Sequence, residues 1–228
     1  MKQKILNILK IILLLILFFN IGSIVNYLLG FIGLNKTSFN YNDAVYLEAL
    51  CESLLFITVI ILYRKTLNGD FTNLRKNFNI SEFLKFLCIF LVVKIVSSLV
   101  TGIISIIIGI DLTVSENQNI INVLSASSPI LMLITSAFLA PLVEEGIFRL
   151  GFRQIIKNQY VFILISSLVF GLMHIFPTEL PLAEALTYGI IYVSIGAALS
   201  WTYVKSNNIW YVILIHAINN FLSMLVLL

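Results

Sequence analysis

This sequence is poor in charge. Only 14 lysines and arginines and 11 aspartates and glutamates occur in 228 residues, against 60% hydrophobic residues and a mean hydropathy of +1.03. That balance excludes a soluble domain, which needs a far larger charged surface. The net charge of +3 is too small to supply the electrostatic footprint of a nucleic-acid binder. Cysteine is almost absent: Cys51 and Cys88 stand alone inside apolar segments, which excludes a disulfide framework and reads as two small buried hydrophobes. Histidine occurs twice, as His174 and His216, and no His-Glu-x-x-His helix is present, which argues against a familiar zinc protease. With no internal repeat and no low-complexity linker, residues 1–228 read as a single membrane domain.

What the chain does have is long apolar runs. Several reach the roughly 20 residues that a helix needs to cross a hydrocarbon core about 30 Å thick. The runs are continuous rather than alternating, which excludes a β-barrel. The fold class is therefore an all-α, polytopic membrane helical bundle of about seven transmembrane helices. Span one is expected at residues 8–31, behind Lys2, Lys4 and Lys10, and reads as an uncleaved first span because no small-residue cleavage site follows it. A polar stretch from Asn35 to Asp43 leads to span two, 44–63, which ends at Arg64-Lys65. A loop carrying Asn68-Gly69-Asp70 and Arg75-Lys76 runs to Glu82, and span three covers 83–109 with Lys85 and Lys94 inside it. A polar loop, Asp111 to Ser128, precedes span four, whose opening Ser127-Ser128-Pro129 has the form of a cap with proline in the first turn. Span four is expected to continue to Lys157. Span five follows at 160–176, stopped by Pro177, then span six at 182–204 and span seven from 208 onward.

Lysine and arginine gather on alternate loops. Arg64, Lys65, Arg75 and Lys76 follow span two, Arg149, Arg153 and Lys157 close span four, and Lys205 follows span six. The intervening loops pair Asp43 with Lys36, Asp111 with Glu116, and Glu179 with Glu184. By the positive-inside rule the basic side, which includes the N-terminus, is cytoplasmic. The expected setting is an integral membrane protein of a bacterial cell membrane, with the lipid bilayer as its surroundings and no nucleic-acid partner. Trp201 and Trp210 suit the interface near the Lys205 turn, and Gly189, Gly196 and Ser200 suit close helix packing.

The stretch Pro141-Leu142-Val143-Glu144-Glu145-Gly146-Ile147-Phe148-Arg149 breaks the apolar pattern. An ionised side chain at the bilayer centre costs at least ~2.5–3.5 kcal/mol, so two adjacent carboxylates need a reason. Glu145 and Arg149 are four apart with the carboxylate first, the favourable order for a same-face ion pair. Glu144 projects about 100° away and stays outside that pairing. Phe170 and His174 are four apart, as are His216 and Asn220. Residue 159, in the Lys157-Asn158-Gln159-Tyr160 turn, is midway between Glu144 and His174, so in an antiparallel hairpin both lie ~22 Å along their helices from it. His216, nine residues past the Ser206-Asn207-Asn208 turn, lies ~14 Å along its own. A desolvated carboxylate suits general-base work, a histidine opposite it can share a water molecule, and a second histidine with an amide can donate to an oxyanion. This is the equipment for amide hydrolysis by activated water, without a serine or cysteine nucleophile.

Glu144-Glu145-x-x-x-Arg149, Phe170-x-x-x-His174 and His216-x-x-x-Asn220 together resemble the three motifs of the CPBP intramembrane proteases, the group containing the type II CaaX prenyl endopeptidases. The resemblance covers residues 127–224, the expected catalytic core. It implies that Glu144 and His174 activate water, that His216 and Asn220 form the oxyanion site, and that Glu145, Arg149 and Phe170 support it. It also implies a glutamate-dependent endopeptidase with no catalytic metal or other cofactor, acting on a peptide or protein substrate in or at the membrane, including prenylated ones. Bacterial members are linked to peptide maturation and bacteriocin self-immunity.

Three other readings compete. Glu144, His174 and His216 have ligand chemistry that suits zinc. A non-proteolytic immunity or regulatory scaffold would leave its function insensitive to motif substitutions. A proton pathway would use Glu48, Glu52 and Glu144, but such transporters more often show related halves, which this chain lacks. Glu48 and Glu52 otherwise read as boundary or structural groups, open to pairing with Lys85 or Lys94.

Overall fold

The computed structural model describes residues 2–31, 41–110, 116–175 and 180–225. Among them every regular element is a helix. In chain order these are α1 Lys2–Phe31, α2 Tyr41–Asn77, α3 Ile80–Ile108, α4 Glu116–Ser127, α5 Pro129–Ile155, α6 Gln159–Ile175, α7 Leu182–Ser206 and α8 Ile209–Leu225. α1, α2, α3, α5 and α7 are long and apolar enough to cross a membrane, and α6 and α8 are apolar helices of 17 residues. A 17-residue helix is ~25 Å long, at the short end of what spans. The protein is an all-α membrane helical bundle. Its expected seven spans correspond to these seven helices.

Two expected loops are largely helical. α2 continues through Asn68-Gly69-Asp70 and Arg75-Lys76 to Asn77, so its 37 residues reach ~55 Å, well beyond the hydrocarbon core. Tertiary anchors hold that extension. Asp70 Oδ2 accepts the Ile209 N–H at 3.0 Å, the Asp70 carbonyl accepts the Asn208 amide at 2.8 Å, and Phe71 meets Trp210 edge-on at 5.3 Å. These contacts outweigh the poor helix propensity of Asn68-Gly69. The polar stretch before span four also contains a helix, α4. Ser128 does not cap α5 with its hydroxyl: its N–H continues α4 by bonding to Leu124 O, and Pro129 occupies the first position of the next helix. Asn35, Lys36, Asp111, Pro177 and Glu179 lie outside the described residues, as does the stop expected at Pro177.

The chain forms two compact units. The first comprises residues 1–68, 121–155 and 216–228. In it Phe18 of α1 packs edge-on against Phe148 of α5 at 6.1 Å, and Val45, Met132 and Met224 form a small buried core. Gly146 and Gly151 bring α5 close to its neighbours, with Gly146 against Val59 and Gly151 against Ile11 and the Tyr63 hydroxyl.

The second unit comprises residues 69–120 and 156–215. α3 starts at Asn79, whose side chain accepts the N–H groups of Ser81 and Glu82, and ends at Gly109 in the left-handed conformation that glycine adopts freely. Its burial pattern is inverted relative to a soluble helix. Ser97, Thr101 and Ser105, at four-residue spacing, are buried, while Ile95, Leu99, Ile103, Ile106 and Ile107 are exposed. Polar groups face inward and aliphatic ones outward, as lipid requires. Cys88 lies on that outward surface with Leu84, Leu91 and Ile95, so it is exposed, unlike the buried Cys51. The expectation of two buried cysteines thus fails for Cys88, because in lipid the apolar side of a helix is the outside. α6 and α7 approach through small residues. Gly171 meets Val193, Gly189 meets Ile175, Gly196 meets Phe170 and Ser167, and the Ser200 hydroxyl bonds to that of Ser166 at 3.1 Å.

Candidate active site

α5 is not a uniform α-helix. It widens into π-helical turns at Thr135–Leu139 and Gly146–Gly151, leaving one regular stretch, Ala140–Glu145, between them. Such turns recur at functional sites because they release backbone groups and re-aim side chains. The first has a cause in the sequence. The Ala140 N–H bonds to Thr135 O, five residues back, so the next amide in that register would serve Ser136. The next residue is Pro141, which has no N–H. The Ser136 carbonyl instead accepts the side-chain N–H of Asn220 at 2.9 Å. Because a carbonyl only accepts, this bond also fixes which end of the Asn220 amide carries nitrogen. The Asn220 oxygen accepts from Asn219 at 3.0 Å.

Glu145 and Arg149 are both fully buried, with Arg149 Nε 3.0 Å from Glu145 Oε2. The other oxygen, Glu145 Oε1, lies 2.8 Å from His216 Nδ1. Glu145 therefore bridges Arg149 and His216 and holds the imidazole with Nδ1–H toward the carboxylate. The second ring nitrogen, His216 Nε2, lies 3.8 Å from Glu144 Oε2. That gap is beyond direct hydrogen-bond reach and is one that a water molecule could bridge. Glu144 Oε2 is buried and has no hydrogen-bond partner among the described residues.

Glu52 on α2 is close enough to feel the charges of Glu48 and Glu144, and one of its own oxygens is buried without a hydrogen-bond partner among the described residues. Glu48, one turn away, is exposed. Within the first unit, no three His, Cys, Asp or Glu side chains among the described residues are placed to hold a metal ion.

His174 belongs to the second unit. Its Nδ1 lies 2.9 Å from the carbonyl of Phe170, so Nδ1 carries the proton and Nε2 keeps its lone pair in the neutral ring. The imidazole stacks on Tyr192 at 4.5 Å, 19° from parallel, and the Phe170 ring stands beside it at 4.6 Å. Tyr192 was not among the residues expected at the site, and no spacing in α7 points to it. The Ser136 carbonyl was missed too, though Pro141 inside an apolar helix was a visible signal for it.

The close contact of Gly146 and Val59 bears directly on Glu145. A Cβ at residue 146 would lie 2.4 Å from Val59 Cγ1, and Val59 is fully buried with a β-branched, stiff side chain. Gly146→Ala is expected to destabilise the protein by about 1–3 kcal/mol through overpacking. Thermal unfolding in detergent should show Gly146→Ala/Val59→Ala to be more stable than Gly146→Ala alone. Wild-type stability of the single variant would refute the contact.

An all-helical bundle with five helices long and apolar enough to cross a membrane, whose first unit buries a Glu–Arg–His cluster and whose second unit holds His174 through Nδ1, defines an integral membrane protein. Residues 126–222 match the model of the family described as Type II CAAX prenyl endopeptidase Rce1-like. The chain is also similar to the UPF0177 protein YvdC of Lactococcus lactis subsp. lactis, at 33% identity over 133 residues. That alignment covers 58% of this chain and 48% of the relative, so the chain spans about half the length of the curated protein it matches. No solved structure matches the chain.

Proposed function

We propose that the protein is an intramembrane endopeptidase that hydrolyses a peptide bond with water activated by Glu144 and His174. The observation that carries this reading is the Glu144 oxygen with no hydrogen-bond partner among the described residues, beside a histidine already held by Glu145, inside the segment that matches a protease family. Glu144 accepts a proton from the attacking water while Nε2 of His174 accepts the other hydrogen bond and orients it. The water oxygen bonds to the carbonyl carbon. The oxyanion that forms takes hydrogen bonds from the second N–H of Asn220 and from His216 Nε2–H in the protonated ring. Glu144 then passes its proton to the departing amine as the C–N bond breaks. Arg149 holds Glu145, Glu145 holds His216, and Phe170 holds His174. The substrate is a peptide in or at the membrane, with a prenylated C-terminal peptide as one candidate class, and the N-terminus faces the cytoplasm of a bacterial cell.

The test is cleavage of a peptide library by the purified protein in detergent, comparing wild type with Glu144→Ala and His174→Ala, each with and without chelator. Cleavage by wild type that survives chelation and is lost in both variants supports the proposal. Chelator-sensitive cleavage restored by zinc would replace the mechanism with a metal-dependent one.

A further inference from the structure

A cavity in the first unit has no part in this chemistry. It has a volume of about 510 Å³ and lies among the start of α1, residues 61–66 of α2 and Gln154 near the end of α5. That size is within the range of small-ligand sites. Its charged lining is of one sign: Lys10, Arg64 and Lys65 border it, and no carboxylate does. Among the described residues Lys10 is held by neutral partners, the Leu62 carbonyl at 3.5 Å and the face of the Tyr63 ring at 5.9 Å, and neither neutralises its charge. Gln3, Asn7 and Gln154 add neutral hydrogen-bonding groups to the rim.

The cavity's position argues for the source of the anion. It lies where α2 passes from its apolar run into Arg64-Lys65, the level at which lipid phosphates meet a spanning helix. Leu6 and Ile61, also on its wall, are 47% and 66% exposed. Free phosphate would make no use of an exposed apolar wall, whereas acyl chains below a headgroup would cover it.

We propose that this cavity binds the phosphate headgroup of an anionic phospholipid. Lys10, Arg64 and Lys65 pair with the phosphate, and Leu6 and Ile61 contact the first acyl carbons.

Native mass spectrometry of the full chain, titrated with phosphatidylglycerol, phosphatidylcholine or inorganic phosphate, tests the assignment. Wild type is expected to retain one phosphatidylglycerol in preference to phosphatidylcholine. Lys10→Gln/Arg64→Gln/Lys65→Gln is expected to weaken that binding at least about ten-fold, at roughly five-fold per cation near a membrane surface. Arg75→Gln/Lys76→Gln, which removes two charges from the same helix outside the cavity, is expected to stay within about two-fold of wild type. Should the triple variant fail to fold, the three single variants carry the test, each with a loss of about three- to five-fold. Equal losses in the two charge-removal variants, or equal retention of phosphatidylcholine, would overturn the proposal. Binding of inorganic phosphate alone, with displacement of the lipid, would overturn the lipid assignment.

Discussion

Arg149→Met is expected to destabilise the folded protein by about 3–5 kcal/mol, the cost of leaving one partner of a buried ion pair without the other. Neither Arg149 nor Glu145 has solvent exposure, so among the described residues Glu145 would be left with His216 to share its charge. Methionine fills a similar volume, so the loss reports charge rather than a cavity. Glu145→Gln/Arg149→Met removes both charges and is expected to recover more than half of the loss, because desolvating a paired ion costs nearly what the pairing returns. Chemical denaturation in detergent of the wild type, the two single variants and the double variant closes the cycle. A loss below about 1 kcal/mol for Arg149→Met would mean that solvent reaches Glu145, and the account of the cluster as a dry, ion-paired unit would fail.

The apolar helices were legible because lipid imposes one rule, that every backbone group be bonded within its own helix, and length and hydropathy report compliance directly. The polar extension of α2 was not legible. Asn68-Gly69-Asp70 has the composition of a turn, and the contacts of Asp70 with Asn208 and Ile209 and of Phe71 with Trp210 hold it helical. Local propensity carries no record of such partners. Cys88 fails for a different reason, since hydropathy tells that a residue avoids water but not whether protein or lipid shields it.

The candidate site divides the same way. The four-residue spacing of Glu145 and Arg149 contains their ion pair, since both lie on one helix. The grip of Glu145 on His216 spans 71 residues of sequence and could be read from neither motif alone. The reading of His216 as an oxyanion donor named no ring nitrogen; Nδ1 lies 2.8 Å from Glu145 Oε1, so the proposed role falls to Nε2. The π-helical turns change the register on which such arguments rest, because residues within them advance by less than 100° each. Of these features only the Ser136 carbonyl had a local cause, in Pro141.

Glu144→Gln separates chemistry from architecture most sharply. Glutamine keeps the size and one oxygen of the glutamate but cannot accept a proton, so kcat is expected to fall about 10²- to 10⁴-fold, the usual contribution of a general base. KM should stay within about three-fold, since the lost interaction belongs to the transition state. Stability should change little, because Glu144 Oε2 has no hydrogen-bond partner among the described residues to lose. Glu145→Gln is expected to behave otherwise. It leaves Arg149 buried beside a neutral amide and weakens the hold on His216, so activity and stability fall together. The contrast between the neighbours is the diagnostic result, read from steady-state cleavage and thermal unfolding of the same preparations. A Glu144→Gln variant that cleaves within about three-fold of wild type would remove Glu144 from the chemistry. If Glu144→Gln also unfolds as readily as Glu145→Gln, Glu144 is a structural member of the cluster, and the proton acceptor must be sought elsewhere, with the buried oxygen of Glu52 one described candidate.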